Sequence, residues 1–429
     1  MREFLESIEV QRVSKRVSTK LEISEYLRRY ANPILFDDVE GYPSFRIVGN
    51  LCASRRLIAK GLGVPENELT SAIASALEKP RCYEIVDKER APFLENFKRN
   101  PELLECLPLL MYYRRMERFY TSATIVLARD PETGRQNASF HRMMYVGGNR
   151  FAIRLVPRDL YSFYRKNAEA GCDTQVAVVC GSHPSICLAA ATSYPNLNEL
   201  QLARAFHDFS CVSLAGIDVP TNSEVVMVGR ILKDVRVEEG PFVDLTGTWD
   251  AIRQEPVLEV EELYMRRDPI WQVILPGGEE HRLLMGLPQE PRIYRAVQNI
   301  TPEVRRVVLT PGGCNWLHAI VSIRKRVEGE GKNVGLAALA AHPSLKLVIV
   351  VDEDIDIYDP TSVEWAIATR LQPSKGVVII PDTHGSTIDP SSGKMGLTGK
   401  WIIDATMPMD RKKEDFMKVQ ELEPQGSET

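Results

Sequence analysis

The rhythm of apolar and polar positions changes along the chain. Up to about residue 115, runs with helical spacing such as ISEYLRRYA and ELTSAIASALEK stand between the short apolar segments PILFDD and FRIVGN, which predicts a small α/β unit. From TSATIVLARD to VLEVEELYMRR, short β-branched runs are cut by turn signals, PETG, GGN and VPTNSE among them. That pattern predicts a mainly β region, a split barrel or closed sheet, with helices inserted at LYSFYRKNAEAG and NELQLARAFHDF. Beyond about residue 290, RRVVLT, KLVIVVD and GVVIIPD read as strands, and NWLHAIVSIRKRV and PTSVEWAIATRL as helices, the alternation of an α/β domain with a parallel sheet. The expectation is three domains, 1–115, 116–290 and 291–429, the last with KKEDFMKVQELEPQGSET as a helical tail that is mobile at its end.

Within the β region, NASFHRMMYVGGNRFAIRLVPRD (residues 137–159) has the form of a hairpin that turns at Gly147-Gly148-Asn149 and stops at Pro157. A three-residue loop puts Asn137 opposite Asp159 and Arg142 opposite Arg154. Two facing arginines call for an anion near them, and Asn137 with Asp159 would offer the oxygen ligands that Mg²⁺ or Mn²⁺ takes. An exposed polar hairpin is the plainer reading, and a one-residue slip would undo both pairings. Further on, EEGPFVDLTG (residues 238–247) sets Glu239 and Asp244 astride a Gly240-Pro241 turn, a place where carboxylates are ordinarily just solvated.

Composition narrows the classes. With 429 residues, 26% charged and 44% hydrophobic, the chain has the make-up of a multidomain globular protein, and no apolar run approaches the span of a bilayer. A net charge of -5 and the lack of a basic, aromatic-laced stripe argue against nucleic acid and membrane partners. Eight cysteines without a C-x-x-C pair read as core residues of a reducing compartment, and the charged start MREFLESIEVQRV carries no secretion signal, so the cytoplasm is expected. Phosphate cradles of the G-x-x-x-x-G-K-[ST] and G-x-G-x-x-G kinds are missing. VVDEDIDIYD has calcium-loop spacing at Asp352, Asp354 and Asp356, but Ile357 and Val363 stand where Gly and Glu are needed, so it reads as a strand end. Glu224 is expected at a solvated strand start, and His318 as a core histidine within a helix.

The hairpin, the NELQLARAF helix and EGPFVD, taken in that order, resemble the UbiD family of decarboxylases that use prenylated FMN; LEISEYLRRYANPILFDDVEGYPSFRIVGNLCASRRLIAKGLGV and LKLVIVVDEDIDIYDPTSVEWAIATR resemble it as well. The resemblance implies a metal ligand at Asn137, a second at Glu199, and catalysis by Arg142, Glu239 and Asp244, with Asp244 as proton donor and Glu239 as partner of Arg142. Some family members carry a histidine ligand where this chain reads PRDL, and Asp159 is expected to replace it. Phe140, His141, Arg142, Arg154, Leu155, Val156 and Arg158 would complete the cofactor site. Prenylated FMN, Mn²⁺ or Mg²⁺ and a K⁺ beside it are the implied cofactors. A small carboxylic acid is the implied substrate, a flavin prenyltransferase the supplier of cofactor, and a homo-oligomer the assembly. MREFLESIE, GGCNWLHAIVSIRKR and GLTGKWIIDAT look most like the archaeal branch that decarboxylates trans-anhydromevalonate 5-phosphate to isopentenyl phosphate in a mevalonate route. Such a substrate needs a second anion site, for which Arg154, Arg158 and the PGGCNW helix start are candidates. An aromatic or polyprenyl-4-hydroxybenzoate-type acid is the alternative, and a flavin-dependent oxidoreductase a more distant one.

Overall fold

The computed structural model describes residues 1–416, which divide into two compact units, Met1–Gln289 and Glu290 onward. The first unit holds a mixed four-stranded sheet and a nine-stranded sheet. In the smaller sheet, Gln11–Val13, Ile34–Phe36 and Arg46–Gly49 are completed by Ile270–Val273, which arrives from far along the chain and pairs in parallel with Arg46–Gly49. Helices expected from ISEYLRRYA and ELTSAIASALEK form at Glu22–Arg29 and Leu69–Glu78. The first lays Ile23 and Leu27 into the core while its charged residues face outward.

The larger sheet runs Tyr120–Thr121, Met143–Gly147, Arg150–Ile153, Arg253–Met265, Val225–Glu239, Thr174–Cys180, Ile125–Arg129, Gln136–Phe140, with Asn96–Arg99 also paired to Arg253–Met265. Among the described residues its two end strands do not pair with each other, so the ladder is not the closed barrel that the turn spacing suggested. Two long antiparallel strands, Val225–Glu239 and Arg253–Met265, form its spine. Gly229 lies at their register shift, where an added Cβ would meet the Glu259 carbonyl oxygen at 2.0 Å. Glu224, expected in solvent, is buried: Arg2 grips it through Nε and Nη2 at 2.8 and 2.7 Å, and the amide of Ile270 donates to it.

The hairpin forms only in part. Met143–Gly147 and Arg150–Ile153 pair in the expected register at Met143, Met144 and Tyr145, with a shift next to the turn, and the Arg154 amide donates to the Arg142 carbonyl at 3.2 Å. Upstream of Arg142 the chain leaves that ladder, and Gln136–Phe140 pairs with Ile125–Arg129 instead. Downstream, Asp159 opens the helix Asp159–Glu169 rather than extending a strand. Asn137 and Asp159 are therefore not ladder partners.

In the second unit the sheet order is Val304–Leu309, His318–Ile323, Leu347–Asp352, Leu397–Asp404, Val377–His384. The inner pairs are parallel and both edge pairs antiparallel, so the expected parallel sheet is mixed. NWLHAIVSIRKRV, expected as a helix, is the strand His318–Ile323, whose residues from Ala319 on are buried. An apolar run buried on both faces has no period that separates strand from helix. His318 accordingly starts a strand, and PGGCNW begins with the short 3₁₀ turn Pro311–Gly313 rather than a helix start. Asp352 and Asp354 share the fully buried Arg370, at 3.0 and 2.6 Å. Of the expected tail, Lys413–Phe416 is a 3₁₀ turn and residues 417–429 lie outside the described residues.

Candidate active site

Arg142 sits just past the end of Gln136–Phe140, where the chain crosses from one ladder to the next, and its side chain is aimed at the far end of Val225–Glu239. Its Nε and Nη2 donate to the two oxygens of Glu239 at 3.0 and 2.8 Å, a bidentate fork. Nη2 donates a further bond to Asp250 at 2.9 Å, and the guanidinium lies 4.5 Å over the Phe242 ring. Burial works against its charge, but Glu239 and Asp250 outweigh it and leave the guanidinium harder to deprotonate than usual. Glu239 is fully buried. Gly240 follows with φ +116°, a conformation that only glycine adopts without strain. Tyr120, buried beside Glu239, has its phenol pKa raised by burial and then by that carboxylate, and its hydroxyl makes no hydrogen bond of ordinary geometry.

Asp250 is the residue the sequence reading missed. Burial raises its pKa, yet Arg253 and Arg142 pull it below the usual carboxylate range on balance. Arg253 Nη1 lies 2.7 Å from the same Oδ2 that accepts from Arg142. The only trace in the sequence is that Arg253 stands opposite Glu239 in the ladder, a pairing that cannot be counted across an unknown turn. Asp244, by contrast, is not on Arg142. It folds back in the turn, accepting from the Leu245 amide at 2.7 Å, and its charge acts on His281. Burial holds His281 down to about 4, so the ring is neutral near pH 7. Its Nδ1 accepts from the Gly277 amide at 3.0 Å, which leaves the proton on Nε2.

A second cluster gathers around Asn137. Glu199, the first residue of the helix Glu199–Arg204, is buried; it accepts from Asn137 Nδ2 at 3.0 Å and from the Ala138 amide at 2.8 Å. No cation pairs with it among the described residues. Burial, aided by the charge of Asp159, pushes its pKa up to about 8 against those two hydrogen bonds. Asp159 thus comes near Glu199 from the start of its helix, not through the hairpin, and holds Arg135 at 2.6 Å. Ser139 Oγ lies 2.9 Å from Asn137 Oδ1 and 3.0 Å from His141 Nε2. The other ring nitrogen, Nδ1, faces the Arg154 carbonyl at 2.8 Å and so carries the proton of a ring held neutral by burial, down to about 4. The one hydroxyl proton of Ser139 therefore has two acceptors to serve.

The facing arginines find anions within the protein. Arg142 takes Glu239, and Arg154 takes Glu255 at 2.6 Å. Leu155 is buried with its amide donating to Glu255, Val156 is exposed, and Phe140 is half-buried against two of the core clusters. Arg158 is exposed and has no ion-pair partner among the described residues.

Family profiles match almost the whole chain: the 3-octaprenyl-4-hydroxybenzoate carboxy-lyase N-terminal domain at residues 4–77, its Rift-related domain at 84–279 and its C-terminal domain at 282–405. The chain belongs to the UbiD family of decarboxylases. Among relatives of this UbiD chain, the anhydromevalonate phosphate decarboxylase of Methanothermobacter thermautotrophicus is 44% identical over 429 residues, covering 99% of this chain and 100% of the relative. That of Methanocaldococcus jannaschii is 40% identical over 97% of this chain and 98% of its own. The phenolic acid decarboxylase of Bacillus subtilis is 31% identical over 95% and 92%. The UbiD-class enzyme HmfF from Pelotomaculum thermopropionicum in complex with FMN superposes with TM-score 0.95 at 35% identity, over 98% of this chain and 96% of that one. An evolved dimeric form of HmfF in complex with prFMN gives 0.90 at 33% identity, over 97% and 96%. Among the described residues no helix of this UbiD chain is long and apolar enough to cross a membrane.

Proposed function

We propose that this enzyme decarboxylates trans-anhydromevalonate 5-phosphate to isopentenyl phosphate in an archaeal mevalonate route, using prenylated FMN held through a divalent metal. The observation that carries the reading is the buried Arg142–Glu239 fork, a cation fixed on one edge by both oxygens of Glu239 and held on the other by a single oxygen of Asp250 at Nη2, with Nη1 unpartnered among the described residues, which suits an anionic acid. Relatives named for this activity stand at 44% and 40% identity, against 31% for a phenolic acid decarboxylase, and that difference supports the substrate over an aromatic acid.

The residues at hand fit the cofactor's metal. Glu199 is a buried carboxylate with no cation paired to it among the described residues, and a metal on Asn137 Oδ1 would free the Ser139 proton for His141 Nε2. Among the described residues no three His, Cys, Asp or Glu side chains converge as a metal site; Asn137, Glu199 and Asp159 would hold the metal, which would anchor the flavin through its phosphate. Mn²⁺ or Mg²⁺ suits such hard ligands, with K⁺ beside it. Phe140, His141, Arg154, Leu155, Val156 and Arg158 form the rest of the cofactor site in this reading. When bound, prenylated FMN supplies the electron sink for loss of CO₂.

Arg142 orients the substrate carboxylate on its Nη1 side, and Glu239 keeps the guanidinium in place. Breaking the bond to the carboxyl carbon leaves an electron pair on the α-carbon, to which a proton must be delivered. Asp244 is the assigned donor, with neutral His281 beside it. Arg115, whose guanidinium lies 5.2 Å over the Trp249 ring and which has no ion pair among the described residues, is assigned the phosphate end. The same reading takes the enzyme as a cytoplasmic homo-oligomer of three-domain chains, divided at 1–115, 116–290 and 291–429, supplied by a flavin prenyltransferase. Measuring CO₂ release by the holoenzyme tests it: turnover of the phosphorylated acid is expected, and turnover of 4-hydroxybenzoate-type acids alone would overturn the substrate.

A further inference from the structure

A guanidinium offers two edges to carboxylates: one across Nε and Nη2, the other across Nη1 and Nη2. Glu239 fills the first edge of Arg142 with both of its oxygens. On the second edge Asp250 holds only Nη2, through the single oxygen Oδ2, and Nη1 has no partner among the described residues. A substrate carboxylate that bound Arg142 bidentately could use only this second edge, where Asp250 already stands.

The charges point the same way. Arg142 and Arg253 balance Glu239 and Asp250, and a further carboxylate on the second edge of Arg142 would meet the negative Asp250 at the shared Nη2, a repulsion that eases when Asp250 shifts toward Arg253. Asp250 has somewhere to go, because Arg253 Nη1 already contacts the same Oδ2 at 2.7 Å. Its position also suits movement. Asp250 lies in the connection 240–252, outside the sheet ladder, tied by its amide to the Phe242 carbonyl at 2.8 Å and flanked by the exposed Trp249 and Ile252.

We propose that Asp250 is a positioning residue: it occupies the substrate-carboxylate edge of Arg142 in the resting enzyme and passes to Arg253 when the acid binds. The inference rests on the proposed function only in taking Arg142 as the carboxylate site. Exchange of Asp250 between two arginines sets the affinity for the acid without touching the bond that breaks.

The test uses the holoenzyme with the phosphorylated unsaturated acid for turnover, and its saturated analogue, which lacks the double bond, for calorimetric binding. Asp250→Asn keeps the size and removes the competing charge. It is expected to lower KM and the Kd of the saturated acid about fivefold or more, the scale of one charged hydrogen bond or ion pair, with kcat within about twofold. Arg253→Gln, which removes the resting place, is expected to raise KM, and to have no such effect in an Asp250→Asn background. An Asp250→Asn enzyme that retains its flavin spectrum but leaves Kd unchanged or weaker overturns the assignment. So does an Arg253→Gln effect of equal size in both backgrounds. Failure of the wild-type holoenzyme to release CO₂ from the acid counts instead against the substrate reading.

Discussion

At the scale of single residues, the site separates groups that must carry charge from groups that must not. Arg142 is buried yet charged because Glu239 and Asp250 hold it, so Arg142→Ala leaves Glu239 buried without a partner. We expect Arg142→Ala and Glu239→Gln each to lower turnover at least ~10²-fold in flavin-loaded enzyme, as loss of an electrostatic stabiliser does. Asp244→Asn should lower it similarly if Asp244 delivers the proton. Single-turnover rates check all three, and a near-wild-type rate for Asp244→Asn would move the donor role elsewhere. Glu280 gives a pH effect of known sign. Burial raises its pKa from 4.5 to about 7 against hydrogen bonds from the amides of Asn50 and Cys52. The folded state then favours the protonated form, so stability falls as the pH rises from about 4.5 to about 7 and is flat above, by no more than about 3 kcal/mol. Glu280→Gln should unfold at temperatures that differ less between pH 5 and pH 8 than those of the wild type.

At the scale of elements, the two long strands Val225–Glu239 and Arg253–Met265 deliver the site, and Gly229 is where they approach too closely for a side chain. Gly229→Ala should cost about 1–3 kcal/mol of stability or more, seen as a lower thermal midpoint, because the atom met is a backbone oxygen that cannot rotate away. An unchanged midpoint would mean that the strands separate there at little cost. The same strands mark where the sequence ceased to be legible. The tight hairpin around Gly147-Gly148-Asn149 could be registered from its turn residues, and that register holds at Met143 to Tyr145. Asp159 could not be placed that way, because strand pairing changes partners at Arg142 and a helix begins at Asp159. Asp250 lies in a connection long enough for its register to be open, so the residue nearest to Arg142 after Glu239 left no usable pattern. His318–Ile323 was lost for another reason: between two neighbouring strands every residue from Ala319 to Ile323 is buried, the polar Ser322 included, and neither period survives.

At the scale of the whole molecule, the order of motifs along the chain carried more than any one of them. The hairpin, the Glu199 helix and the EGPFVD turn are far apart in sequence, and each taken alone has an ordinary structural reading. In the first unit Arg142 and Glu239 form one ion pair, and Asn137 and Glu199 one hydrogen-bonded pair. The second pair is incomplete as a purely protein arrangement, since among the described residues no cation pairs with the buried Glu199 and Ser139 has one proton for two acceptors. A divalent ion would relieve both conditions, and from this follows a prediction about assembly of the holoenzyme. Produced together with a flavin prenyltransferase, the protein should carry an absorbing flavin in proportion to bound Mn²⁺ or Mg²⁺, measured by absorption and metal analysis on the same sample. Chelation should release metal and flavin together. Glu199→Ala should abolish retention of both while Arg142→Ala retains both, because Arg142 belongs to the other pair. Flavin retained in full by the metal-free protein, or lost equally in both variants, would show that Asn137 and Glu199 are not where the cofactor is anchored.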